Sequence, residues 1–468
     1  MTPPESLTLT GTDLLLLGGF VAAVLYLGRR AARKRHEGLE DYILAGRTLS
    51  LPAFIATLVP SFFGGTLGIG EYTWRYGISN WFVQGVPYYI FALLYAVWLV
   101  PRVRSRGGMT IPDHLEVAYG RKAAALGALL VFLLASPADE ALMLGVLTRW
   151  ATGWPLVACV SLVAAVSGAV LWRGGLRSDV GTNRLELLVM FGGFAVVLPF
   201  GLAAVHGWQA LRAALPASHL ELTGGQPLWT LVGWWMIALW TFVDPAFHQR
   251  VLAAKDERTA RVGIAISVGF WFVFDLMTTS AGLLARAELP HLSNPLAAYP
   301  ALAQAVLPPA LKGVFIAGVA ASALASCASK SLLSAVSLGH DAAQRFWRLP
   351  DVKAETLTRW GLVSALALAV ALAVALPSVV ALWYTLGSCV IPGLLVPLLT
   401  SYVAPLRVGP RAGLWSSLAG VLSATAAWGL GMRAPFFAGL GASVSVWAAG
   451  YASARLRGKS PGSGPPLP

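Results

Sequence analysis

Apolar runs, most of them close to the 20 or so residues a helix needs to cross a bilayer, follow one another along this chain with short polar stretches between them. Thirteen can be read, at residues 14–28, 51–72, 80–100, 123–147, 154–172, 185–205, 228–247, 262–284, 311–338, 360–376, 379–402, 412–430 and 436–454. In hydrocarbon such a run satisfies its backbone polar groups internally as a helix. The pattern therefore predicts an all-α polytopic membrane protein of about 13 transmembrane helices, embedded in the lipid bilayer.

Three runs carry more than hydrophobicity. The second is interrupted by Val59-Pro60-Ser61-Phe62-Phe63-Gly64-Gly65-Thr66, and the seventh contains Gly233 and ends at Asp244-Pro245. Breaks five runs apart are the sequence sign of an inverted repeat, in which unwound segments present carbonyls and helix ends to a site near the bilayer midplane. The bland alternative is that Pro and Gly are simply common in membrane helices. The stretch 313–341, most of the ninth run, is dense in Ala and Ser and is interrupted within the span by one charge, Lys330. Small residues permit close helix approach, while an intramembrane charge is costly and marks a functional position by default. Lys330 lies about ten residues from the cytoplasmic end of the run, or roughly 15 Å at the helical rise, too deep for easy snorkelling. Asp139, Glu140 and Asp275 are further intramembrane acids with no task assigned.

Composition agrees with the pattern: 57% hydrophobic and 12% charged residues, with a mean hydropathy of +0.68, exclude an ordinary soluble globule. The formal charge of +13 does not signal nucleic acid, because 27 of the 34 Lys and Arg fall in alternate inter-span stretches and the tail. That asymmetry is the positive-inside bias, and it places the N-terminus outside and the C-terminus in the cytoplasm of a plasma-membrane protein. The first run has no basic segment before it and Arg29-Arg30 after it, which predicts an uncleaved first helix. Outside stretches 206–227 and 286–309 are long enough for short surface helices, the tail 458–468 reads as disordered, and no appended soluble domain is expected. Cys159, Cys327 and Cys389 show neither metal spacing nor a disulfide framework. No phosphate-binding loop, zinc motif or nucleophile–base set is present, so the chain does not read as an enzyme.

Four stretches carry a resemblance. Asp41-Tyr42-Ile43-Leu44-Ala45-Gly46-Arg47 is similar to D-Y-x-L-A-G-R, Thr110-Ile111-Pro112-Asp113 through Tyr119-Gly120 to T-x-P-[DE]-x-[FL]-x-x-x-Y-G, and Gln249 to Lys255 to Q-R-x-L-A-A-K. Residues 313–341 lie without a gap on a sodium-site helix. Together they resemble the sodium:solute symporters, the family of bacterial proline, pantothenate and sodium/galactose transporters and animal glucose transporters. The resemblance implies a LeuT-type core of two inverted five-helix repeats, 49–205 and 228–404, joined by an external segment 206–227. Residues 1–48 would then hold the outside segment, an extra helix and a basic loop, and 405–468 two further helices and the tail.

The resemblance also implies alternating access, with a small organic solute moved by a cation gradient and sodium as the family's ion. Its sodium site would draw carbonyls from near Leu58 and Ser61, another from Ser322, and a hydroxyl pair at positions occupied here by Ala325 and Ser326, so one hydroxyl is lost. A hard cation wants about six oxygens, which weakens the site without abolishing it. Where relatives carry T-D-x-x-Q, this chain reads Thr182-Asn183-Arg184-Leu185-Glu186, leaving Glu186 as a substitute acid or, at the membrane edge, a solvated one. Asp244 reads as a structural or gating acid. Three readings of Lys330 stand: a tethered cation in place of sodium, giving sodium-independent or proton-coupled transport; a structural partner of Glu186, Asp244 or Asp275; or an anchor for an anionic solute. Positions lining the sugar pocket of a galactose-transporting relative fall on Pro60, Gly65, Gln84, Pro87, Trp240 and Tyr384, and Gly64 adjoins them. Most polar sugar partners are gone; Trp240 and Tyr384 fit a lid over an amphipathic or cationic solute, or ordinary packing. A sensor or assembly subunit that kept the fold is the remaining alternative.

Overall fold

A computed structural model describes residues 7–33, 38–342 and 351–456. The disordered tail expected at 458–468 and parts of the basic stretches after the first and ninth runs lie outside them. The principal helices are α1 (Gly11–Ala32), α2 (Leu51–Tyr76), α3 (Trp81–Ser105), α4 (Arg121–Thr152), α5 (Leu156–Trp172), α6 (Gly174–Ala204), α7 (Leu228–Ala253), α8 (Glu257–Glu288), α9 (Leu311–Ala342), α10 (Glu355–Ala375), α11 (Val379–Tyr402), α12 (Pro410–Gly429) and α13 (Pro435–Leu456). Among the described residues, ten are long and apolar enough to cross a membrane by length and composition, α5 is a shorter apolar helix, and no β-strand forms. Short helices Trp208–Ala214 and Ala298–Val306 occupy the two stretches expected to hold them.

Each interruption has a local cause. In α2, Pro60 removes a backbone donor, and the chain tightens into a 3-10 turn at Phe63–Gly65 before resuming. In α7, Asp244 is held extended by the following Pro245, and its carboxylate then caps the second half-helix by accepting from Ala246 N at 2.6 Å and Phe247 N at 3.3 Å. A third break, unpredicted, falls in α4 at Ala135–Pro137, so that Asp139 and Glu140 open a new helical segment. At Gly175, at the start of α6, φ is +52° and an added Cβ would lie 2.3 Å from the Tyr42 carbonyl, so only glycine turns the chain there.

The polar residues 177–183, read as a basic loop ahead of the sixth span, are instead helical and form the inner end of α6. They face protein rather than water: Arg177 makes a bidentate pair with Asp41, Asp179 pairs with Arg250, and the Asn183 amide donates to Thr57 Oγ1 at 2.5 Å. Glu186 likewise is buried, not solvated, and accepts from Thr182 Oγ1 at 3.2 Å. Helix α9 is central and runs against α6 so closely that a Cβ on Gly193 would lie 3.0 Å from Gly318 Cα, the approach its small residues permit.

Candidate solute and cation site

The break in α2 lies on the serine-rich face of α9. Thr66 Oγ1 and Ser322 Oγ are 2.6 Å apart, and a Cβ on Gly64 would meet Ser326 Cβ at 2.1 Å and Glu140 Oε1 at 2.6 Å. Gly64 is therefore a close-approach glycine between three helices. Ser61 donates its hydroxyl to Thr57 O at 2.6 Å, with Leu58 O 3.3 Å away, so the helix keeps these groups for itself as it unwinds. Ala325 is fully buried, and its side chain supplies no oxygen.

Onto this seam the break in α4 delivers two carboxylates. Lys330 Nζ lies 2.6 Å from Glu140 Oε1 and 3.0 and 2.9 Å from the two oxygens of Asp139. Ser326 donates to Glu140 Oε1 at 2.7 Å, and the Trp383 indole donates to Asp139 Oδ2 at 2.7 Å. Glu140 Oε2 is buried with no hydrogen-bond partner among the described residues. The partners expected for Lys330 are thus corrected to Asp139 and Glu140. Asp244 is engaged as a helix cap, Glu186 bonds within its own helix, and Asp275 receives the Tyr89 hydroxyl. The signal that would have found the pair is Ser136-Pro137 two residues ahead of adjacent acids: a proline break puts the next residues at a helix start, where carboxylates are stabilised.

A cavity of about 130 Å³ opens beside this cluster. Its wall includes Gly65, Gln84 and Trp240, expected along the solute pathway, Ser61 and Lys330, expected at the cation site, Asp244, expected as a structural or gating acid, and also Asp139 and Glu140. Trp383, Tyr88 and Trp234 line it too and were not anticipated. Tyr384 is turned away: its hydroxyl donates to the Arg433 carbonyl at 2.7 Å and its ring packs edge-on to Trp234, 5.6 Å between centroids, while Trp383 takes the place against Gly65. Pro60 is buried and does not line the cavity. The volume is close to the roughly 150 Å³ that accommodates a benzene ring in an engineered cavity, so the space suits a small solute.

Toward the Gln249-Arg250 end of α7, the Arg250 guanidinium pairs with Asp179 at 2.8 Å, both side chains fully buried, and Ser329 donates to Asp179 at 2.8 Å. The acid missing at Asn183 thus stands one turn away, neutralised by Arg250. Nearby His114, in the helix Ile111–Tyr119, has its imidazole pushed down to about 4 by burial and adds no charge at neutral pH.

Broken helices converging on a buried, charged cavity define a transporter-like membrane fold of the LeuT type. The sodium:solute symporter family model matches residues 42–420, and the chain belongs to that family. It is 25% identical over 398 residues to mouse sodium/glucose cotransporter 4, covering 74% of this chain and 58% of that protein. To the Escherichia coli sodium/pantothenate symporter it is 24% identical over 357 residues, covering 70% and 71%. The chain spans between 55 and 58% of the length of the glucose cotransporters it matches in mouse, human and zebrafish. Among solved structures, a Na+-coupled sialic acid symporter superposes with a TM-score of 0.79 at 16% identity over 96% of this chain and 98% of that one. Mhp1, a nucleobase-cation-symport-1 family transporter, gives 0.63 at 14% identity, covering 89% and 95%. At these identities the superpositions speak for the fold.

Proposed function

We propose that the chain is a secondary active transporter that carries a small organic solute by alternating access in symport with a cation, sodium being the ion named for its relatives. Two inverted repeats, 49–205 and 228–404, form the moving core, and the bilayer is the plasma membrane. The observation that carries this reading is the charge count at the seam of α2, α4 and α9: two buried carboxylates, Asp139 and Glu140, share one ammonium, Lys330. An uncompensated buried charge costs several kcal/mol, so the cluster calls for one more positive charge, a metal cation or a proton. Glu140 Oε2, buried and without a hydrogen-bond partner among the described residues, is an oxygen open to such a charge, while Ser326 donates to the other oxygen of the same carboxylate. The same count argues against Lys330 replacing the ion outright, because one lysine neutralises one of two acids.

The test is uptake into proteoliposomes holding the full chain, across a panel of small amines, amino acids, sugars and organic acids, with sodium and proton gradients imposed separately. A sodium gradient is expected to drive accumulation. Glu140→Gln should abolish that drive while leaving solute exchange at equal sodium on both sides. Accumulation driven by protons alone moves the coupling to a proton on Glu140. Absence of all uptake from a folded preparation overturns the transporter reading in favour of a sensor or assembly subunit.

A further inference from the structure

We propose that the solute is a small organic cation and that Asp244 is the counter-ion for its positive group. This rests on the transporter reading and names the substrate class of the same cavity.

The wall carries three carboxylates, Asp139, Glu140 and Asp244, against one ammonium, Lys330. Each broken helix presents a C-terminal end as well as an N-terminal one, so the partial charges of the helix ends cancel to first order. The formal excess is two negative charges. One belongs to the Asp139–Glu140–Lys330 cluster and is met by the coupling ion; the other is Asp244. Its two oxygens are used unequally. Oδ1 accepts both cap hydrogen bonds from Ala246 N and Phe247 N, whereas Oδ2 has no hydrogen bond among the described residues, and Asp244 is half-buried on the cavity wall.

The surrounding surface suits a cation and little else. Trp240 stands one turn before Asp244 on α7, and Tyr88 and Phe62 face the same space from α3 and α2. Indole and phenol faces attract ammonium groups, more strongly where water is displaced. Lys330, the one basic group on the wall, is held by two acids within 3.0 Å and has no charge to spare for a carboxylate. An anionic solute would enter a cavity already in negative excess, and a sugar would find Gln84 but few other free polar partners. A solute with a primary amine or quaternary ammonium head, on a body small enough for about 130 Å³, satisfies charge, surface and volume together.

Solubilised full-length protein is titrated with choline and with its uncharged isostere 3,3-dimethylbutan-1-ol, following the fluorescence of the indoles on the cavity wall. Tetramethylammonium and propylammonium extend the cation set, and acetate and glucose stand for the other classes. Choline or another cation is expected to bind at least tenfold more tightly than the neutral isostere. Asp244→Asn should remove at least tenfold of that affinity while leaving the isostere unchanged. Asparagine caps a helix as well as aspartate does, so this change removes charge and keeps the break intact; Asp244→Ser, a second cap-competent change, serves if the amide variant misfolds. Equal binding of cation and isostere, binding of a neutral or anionic probe alone, no binding by any probe, or unchanged cation affinity in both variants overturns the proposal. Because binding is read in solution, this result is separable from uptake: cation binding without transport overturns the transporter reading, and transport of uncharged solutes alone overturns the substrate class.

Discussion

Lys330 is the residue on which the sequence left most open, and its neighbours decide its role. It lies 2.6 Å from Glu140 and 2.9 Å from Asp139, one helical turn beyond Ser326, which donates to the same Glu140 oxygen. Removing the lysine strands two adjacent acids in a buried place, and breaking a buried pair by deleting one partner destabilises by about 3–5 kcal/mol. Lys330→Met is therefore expected to lower the melting temperature of the solubilised protein markedly. Adding Asp139→Asn to it should restore at least half of the loss, since a single acid can then be neutralised by the coupling ion or a proton. An unchanged melting temperature in the single variant would show that the lysine does not hold the pair.

The helices show how one break sets up another. Prolines and glycines in α2, α4 and α7 interrupt three spans, and the freed segments bring Ser61, Glu140 and Asp244 to one cavity. The second half of α7 is tied back through Arg250 to Asp179 on α6 and Ser329 on α9. Arg250→Met leaves Asp179 buried and unpaired and is expected to cost about 3–5 kcal/mol, read as a lower denaturation midpoint. Pairing it with Asp179→Leu, which replaces the ionic contact by an apolar one, should recover most of that stability. If the double variant is no more stable than the single, the guanidinium holds α7 by something other than this pair.

For the molecule as a whole the prediction concerns orientation. If all thirteen helices cross the bilayer with the basic stretches on its inner side, the ends lie on opposite faces. A reporter at the C-terminus should be protected in intact cells and one at the N-terminus exposed; both tags on one side would mean an even number of crossings and revise the role of α12 or α13. The central helix α9 packs on α2, α4 and α6 along its small residues, whereas α12 and α13 pack together against α11 at the periphery, away from the cavity.

That the chain is helical and membrane-embedded was legible in its sequence alone, because hydropathy over about 20 residues is a local property. So were the breaks in α2 and α7, since Pro and Gly act on their own turn, and the family, since its motifs are contiguous. Gly65, Gln84 and Trp240 were expected on the solute pathway from the family resemblance, whereas Ser61 and Lys330 were assigned to the cation site and Asp244 to a structural or gating role. Pairing, by contrast, was settled in three dimensions. Asp139 and Glu140 sit 191 and 186 residues from the Lys330 and Ser326 they meet, and no local pattern encodes that distance. The polar stretch 177–183 looked like a solvated loop because polarity signals water only until a partner such as Asp41, Arg250 or Thr57 arrives from elsewhere in the chain. Tyr384 and Trp383 are adjacent aromatics on one helix, and only the placement of Gly65 and Arg433 sends one into the cavity and the other out of it.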